Sequence, residues 1–193
     1  MWRPARVVRE DLHIVGERLV AGPPAPATAT VDARGAYAVP LVVDTALAGL
    51  PSTGRFDLVL GNRATLAVVR HPVTETEIRS MLVVAPRALL AVWVDGRLEA
   101  WDGSPTRPAG QDVTDPTARA TWVGTWWDRR RDLAQHLGPD GRYSETRGGQ
   151  ADAYTGRYWV RGDRITYLDD AGFWAFGQLV DGVLHHAGFV LVR

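Results

Sequence analysis

Apolar and polar residues alternate over short runs along nearly the whole chain. Between Trp122 and Val192 seven runs follow one another: Trp122–Trp127, Arg131–Leu137, Arg142–Arg147, Tyr154–Val160, Arg164–Asp169, Phe173–Val180 and Val183–Val192. A period of two puts successive side chains on opposite faces of a strand. Turn chemistry bounds each run, as at Gly138-Pro139-Asp140-Gly141, Gly148-Gly149, Arg161-Gly162-Asp163, Asp169-Asp170-Ala171-Gly172 and Asp181-Gly182. Strands spaced about ten residues apart, with no helical period between them, predict an antiparallel meander. Closing the meander on itself removes exposed edges, so residues 118–193 are expected to form an up-and-down β-barrel.

Residues 1–101 show the same alternation in shorter pieces: Leu12–Val15, Arg18–Ala21, Ala29–Asp32, Tyr37–Val43, Phe56–Leu60, Thr65–Val69, Met81–Val84, Leu89–Val94 and Arg97–Trp101. This predicts a β-sandwich. The exception is Val73–Ser80, where Thr74 as N-cap with Glu75 and Glu77 in the first turn predicts a short helix. Residues 102–117 hold three prolines and two glycines without periodicity and read as a linker or strap. The chain is therefore expected to be all-β, with two folded parts.

Composition narrows the chemistry. There is no cysteine, which excludes disulfides, thiolate nucleophiles and cysteine-ligated metals. Basic and acidic residues number 22 each, without the basic excess of a nucleic-acid binder. Every cation other than histidine is arginine, so Schiff-base catalysis and a P-loop lysine are excluded too. No apolar run reaches the roughly 20 residues of a membrane span, and Met1-Trp2-Arg3-Pro4 does not open a signal peptide, which points to a cytoplasmic protein. His13 and His71 lack companions at ligand spacing, and no metal or other cofactor is expected.

Two resemblances add to this reading. Gly16-Glu17-Arg18-Leu19-Val20, Val31-Asp32-Ala33-Arg34-Gly35, Val39-Pro40 and Val43-Asp44 resemble the opening strands of metal-dependent amidohydrolases. Gly54-Arg55-Phe56-Asp57-Leu58-Val59-Leu60 and Val92-Trp93-Val94-Asp95-Gly96-Arg97 resemble their closing strands. In that superfamily these strands build a composite sandwich beside a long catalytic barrel; here residues 45–54 replace the barrel, and Thr45-Ala46-Leu47 stands where a His-x-His motif would follow Asp44. The resemblance thus implies a retained sandwich without a hydrolase site.

The C-terminal part resembles a family of short bacterial proteins with a streptavidin-like or lipocalin-like barrel. The residues that carry it are Gly124-Thr125-Trp126, Leu137 to Tyr143, Glu145, Arg147, Tyr154 to Tyr158, Tyr167 to Phe173, and Leu184-His185-His186-Ala187-Gly188. Gly124-x-Trp126, with Arg193 ending the last strand, is similar to the lipocalin arrangement in which a tryptophan closes the barrel floor beneath an arginine. The alternative for Trp126 is a ligand-stacking wall.

Strand parity sorts the candidate site. Tyr143, Glu145 and Arg147 share one face, Tyr154, Gly156 and Tyr158 another, and Ile165, Tyr167 and Asp169 a third. Turned inward, these faces line a lumen with tyrosine hydroxyls and charges. Glu145 beside Arg147 is either a general base with an oxyanion stabiliser or an ion pair on the outer surface. Asp169 is either a turn residue or an acid/base partner. His185 and His186 point to opposite faces, so one is expected in the lumen as an acid/base group. Trp174 joins Trp126, Tyr143, Tyr154, Tyr158, Tyr167 and His185 as candidate ligand contacts, with Glu145, Arg147, Asp169 and His186 as the candidate catalytic set.

Two functions follow. One is a cofactor-independent cyclase or isomerase acting on a hydrophobic, natural-product-like intermediate; the other is a non-catalytic carrier, sensor or sequestering protein using the same cavity. Both take a small hydrophobic organic ligand, with no nucleic acid and no membrane as partner. Exposed edges of the sandwich would allow a homodimer.

Overall fold

The computed structural model describes residues 10–22, 30–41, 57–74, 76–77, 83–106 and 116–193. The chain divides into two compact units, Met1–Arg79 with Arg87–Thr106, and Ser80–Pro86 with Arg107–Arg193. Among the described residues no helix is long and apolar enough to cross a membrane.

In the first unit, β1 (His13–Val15) and β2 (Arg18–Val20) form a hairpin. β3 (Tyr37–Pro40), β4 (Leu66–Val69), β5 (Leu89–Val94), β6 (Arg97–Trp101) and β7 (Ser104–Pro105) form an antiparallel sheet in chain order. Leu19, Ala64, Leu66, Val68, Leu90 and Ala91 are its buried core. Gly96 lies so close to the first hairpin that a Cβ there would meet Gly16 O at 1.8 Å, which explains the glycine.

Several sequence expectations change here. Residues 57–60 turn instead of extending, with Val59 N donating to Asp57 O (2.9 Å). Residues 30–32 are irregular, and the Asp32 carboxylate accepts from the backbone N–H and the guanidinium of Arg34. Residues 102–106 belong to the sheet and not to a linker, since β7 pairs with β6 and Thr106 bonds back to Leu98 and Glu99. Residues 107–115 lie outside the described residues, as do residues 42–56, on which Val43-Asp44, Thr45-Ala46-Leu47 and Gly54-Arg55-Phe56 of the amidohydrolase comparison fall. Thr74 and Glu77 do form a capping box, Glu77 N donating to Thr74 Oγ1 (3.2 Å) and Thr74 N to Glu77 Oε2 (2.7 Å), while residues 75 and 78–80 of the expected helix lie outside the described residues.

In the second unit α1 (Pro116–Ala120) precedes eight strands. They are β8 (Gly124–Asp128), β9 (Leu133–Leu137), β10 (Arg142–Arg147), β11 (Gln150–Arg161), β12 (Arg164–Asp169), β13 (Trp174–Val180), β14 (Val183–His186) and β15 (Phe189–Leu191). Each pairs antiparallel with the next. The first and last meet where Trp127 and Val192 exchange both backbone bonds, 2.7 and 2.9 Å. The result is an up-and-down β-barrel. Its seam is completed by a side chain, because Val190 N donates to Asp128 Oδ2 (3.3 Å).

The run Val183–Val192 proves to be two strands. Ala187 and Gly188 both adopt positive φ, 47° and 81°, making a two-residue hairpin that lacks the usual Asn-Gly or Asp-Gly signal.

Candidate functional site

Register and burial fix the inward faces of the barrel. Leu133, Gln135 and Leu137 point inward from β9, Tyr143, Glu145 and Arg147 from β10, Tyr158 and Val160 from β11, Ile165 and Tyr167 from β12, and Leu184 and His186 from β14. Gly156 makes room for this packing: a Cβ there would meet Leu168 O at 2.4 Å and Tyr143 Cε1 at 2.7 Å.

One end of the barrel is sealed. Trp126 Nε1 donates to Trp122 O (2.9 Å), and the Arg193 guanidinium lies 4.6 Å from the Trp126 ring while its Nη2 donates to Thr121 O and Val123 O. Tyr158 OH donates to Gly138 O (2.6 Å) at the same end. Trp126 and Tyr158 are therefore engaged in closing the floor.

A polar network crosses the interior. Glu145 is 2% exposed, and its two oxygens are taken by different partners: Gln135 Nε2 donates to Oε1 (3.0 Å), and Arg147 Nε donates to Oε2 (2.8 Å), with Arg147 Nη2 at 2.6 Å from Oε2. Tyr167 OH donates to Gln135 Oε1 (2.7 Å). His186 Nε2 stands 3.8 Å from Glu145 Oε1, its Nδ1 is 3.2 Å from Phe176 O, and its ring lies 4.4 Å from that of Tyr167. An Nδ1–H bonded to that carbonyl makes Nε2 the free lone pair in the neutral ring.

Burial governs the electrostatics. It lowers the His186 pKa, with the Glu145 charge opposing it, and raises those of Tyr167 and Tyr143, which Glu145 raises further; Tyr158 is pushed up to about 12. The Glu145–Arg147 pair thus lies among side chains whose neutral forms burial favours.

The network reaches solvent at the other end through Arg147, whose side chain is 38% exposed. Its guanidinium lies 4.4 Å from the Tyr154 ring and 5.2 Å from the Phe189 ring. Arg131, on the 3₁₀ turn Arg129–Arg131 between β8 and β9, lies 5.2 Å from Phe189 and donates to Gly188 O. These four side chains form the rim.

Residues 119–193 match the family described as Agrobacterium tumefaciens protein Atu4866. The solution structure of the protein Atu4866 from Agrobacterium tumefaciens is 47% identical, over 37% of this chain and 91% of that one, with a TM-score of 0.34. Through this region the chain belongs to the Atu4866 family. A search of curated proteins finds no match. Nothing in these comparisons bears on the amidohydrolase likeness of residues 1–101.

Within the Atu4866-type barrel, the structure brings together Glu145, Arg147, His186, Tyr143 and Tyr167, with Tyr154 at the rim. Besides Trp126 and Tyr158 at the floor, three candidates stand elsewhere. Asp169 Oδ1 accepts from Phe173 N (2.8 Å), closing the β12–β13 turn. Trp174 packs edge-on against Trp159 at 5.5 Å, on the face opposite Tyr158 and thus outside the lumen. His185 shares that outer face, opposite to His186, and burial lowers its pKa. Sequence reasoning missed Gln135, although as the polar residue between inward Leu133 and Leu137 it carried the signal. It also missed Arg131 and Phe189, which come to the rim through the 3₁₀ turn and the hairpin at Ala187-Gly188. Among the described residues no group of three or more histidines or carboxylates is placed to hold a metal.

Proposed function

We propose that the barrel binds a small organic molecule at the rim formed by Arg147, Tyr154, Phe189 and Arg131, and that it works as a carrier, sensor or sequestering protein. The observation that carries this reading is the buried Glu145 charge, satisfied from two sides and connected to the rim through Arg147. A buried ion pair contributes little net stability compared with apolar packing, so its use lies in fixing geometry. Here it holds the Arg147 guanidinium between two aromatic rings, a pre-organised surface for a ligand. The streptavidin-like or lipocalin-like character suggested by the sequence belongs to this proposal, with residues 1–101 as an accompanying amidohydrolase-type sandwich.

A second reading is the cyclase or isomerase. The approach of His186 Nε2 to Glu145 Oε1 favours it, as an acid/base pair needs such proximity. Against it, the Glu145 oxygens are engaged and Asp169 is committed to its turn.

Ultrafiltration of the full chain with small-molecule extracts, followed by mass analysis of what is retained, separates the readings. A compound retained saturably and recovered unchanged supports the binder. Appearance of a converted product that depends on Glu145 or His186 would establish the enzyme instead, and retention of nothing would overturn both.

A further inference from the structure

The rim has a preferred ligand charge. Four groups alternate there: the Tyr154 ring, the Arg147 guanidinium, the Phe189 ring and the Arg131 guanidinium. The guanidiniums already lie in the electron-rich neighbourhood of both rings, so a cationic ligand would meet two positive charges there. Each arginine is oriented from inside and keeps donors for solvent. Arg147 spends Nε and Nη2 on Glu145, leaving Nη1; Arg131 spends Nη1 on Gly188 O and the more distant Asp128 Oδ2 (3.8 Å), leaving Nε and Nη2. Two carboxylates nearby are already committed, Glu145 to Gln135 and Arg147, and Asp128 to the backbone of Arg130 and Val190. Arg131, Tyr154 and Arg147 are 54%, 48% and 38% exposed, so the free donors and an aromatic face are presented together.

We propose that the barrel mouth selects a flat aromatic carboxylate, its ring extending the stack of guanidiniums and side-chain rings and its carboxylate taking the unspent N–H groups of Arg131 and Arg147. The inference rests on the ligand-binding reading and adds charge and shape to it. Guanidinium suits this because it stacks on aromatic planes and donates in-plane to carboxylates at the same time. An aliphatic or neutral molecule would use only part of the site.

The test is calorimetric titration of the full chain with 2-naphthoate and with its neutral counterpart 2-naphthalenemethanol, with amide NMR shifts to locate the binding. The expected result is naphthoate binding at least about tenfold tighter than the alcohol, with shifts at Arg131, Arg147, Tyr154 and Phe189. Naphthoate affinity should fall with added salt while that of the alcohol stays constant, a contrast that needs no variant. Arg131→Gln should weaken naphthoate about fivefold or more, a larger loss than for the alcohol. Equal affinity for the two compounds would overturn the charge preference while leaving the ligand-binding reading intact. Failure of both to bind a protein that retains another compound in the ultrafiltration experiment would overturn this inference alone.

Discussion

Replacing Arg147 by Met keeps a stem of similar length against Tyr154 and Phe189 but removes the charge that meets Glu145 Oε2. The carboxylate would be left almost wholly buried with Gln135 as its remaining hydrogen-bond donor. Removing one partner of a fully buried pair costs about 3–5 kcal/mol. Because Arg147 is more than one-third exposed, solvent screens the pair, and we expect about 2–3 kcal/mol. Glu145→Gln should cost only about 1 kcal/mol, since the amide keeps a hydrogen bond to Gln135 and the freed guanidinium can turn to water. The double variant should then cost about 1 kcal/mol, which makes the coupling between the sites about 2–3 kcal/mol. Urea unfolding of the full chain, followed through the amide NMR signals of Tyr167 and Leu184, reads the barrel itself. Strict additivity, or an Arg147→Met variant within about 0.5 kcal/mol of the parent, would refute the reasoning.

Other consequences are open to direct measurement. Gly156→Ala forces a Cβ into the backbone at Leu168 and Asp169 and into the Tyr143 ring, and should destabilise the barrel by about 2–3 kcal/mol in the same unfolding assay. His185 and His186 have folded pKa values below the ordinary 6.5, so the unfolded chain binds more protons in the window just under that value. Barrel stability should hold above pH 6.5 and decline as pH falls below it, and His186→Gln should flatten that slope in urea titrations at several pH values. Asp170, held by Arg142 and Thr155, should titrate at about 2 in carboxyl NMR and move up toward 3.8 in Arg142→Gln. Arg193→Ala removes the stacking on Trp126 and bonds to Thr121 O and Val123 O, and should cost about 1–2 kcal/mol with a change in near-ultraviolet circular dichroism.

The barrel was legible because its period-two runs and glycine turns act locally. Parity alone placed Tyr143, Glu145 and Arg147 on one face, and the same rule set His185 against His186. What parity does not supply is the sign of a face, which is why Trp174 and His185 were grouped with lumen residues although they stand outside it. Asp169 shows a different limit: its inward parity is real, but the short reach to Phe173 N offers a local partner first. The hairpin at Ala187-Gly188 escaped because an alanine at positive φ carries no turn signal, and with it went Phe189 and the rim. In the other unit the turn at residues 57–60 closes on its own neighbours and β7 folds straight back onto β6, local contacts that the apolar run at 57–60 and the prolines of 102–117 masked.

The central claim is that the barrel holds a small molecule at a mouth built on the Glu145–Arg147 pair. Native mass spectrometry of the freshly purified full chain, beside Glu145→Gln/Arg147→Met, tests it most directly. The account predicts a stoichiometric organic adduct on the parent protein, released unchanged on denaturation and lost or much reduced in the folded double variant. An adduct retained equally by the double variant would contradict the account, as would a parent protein that carries none and captures none from a metabolite extract.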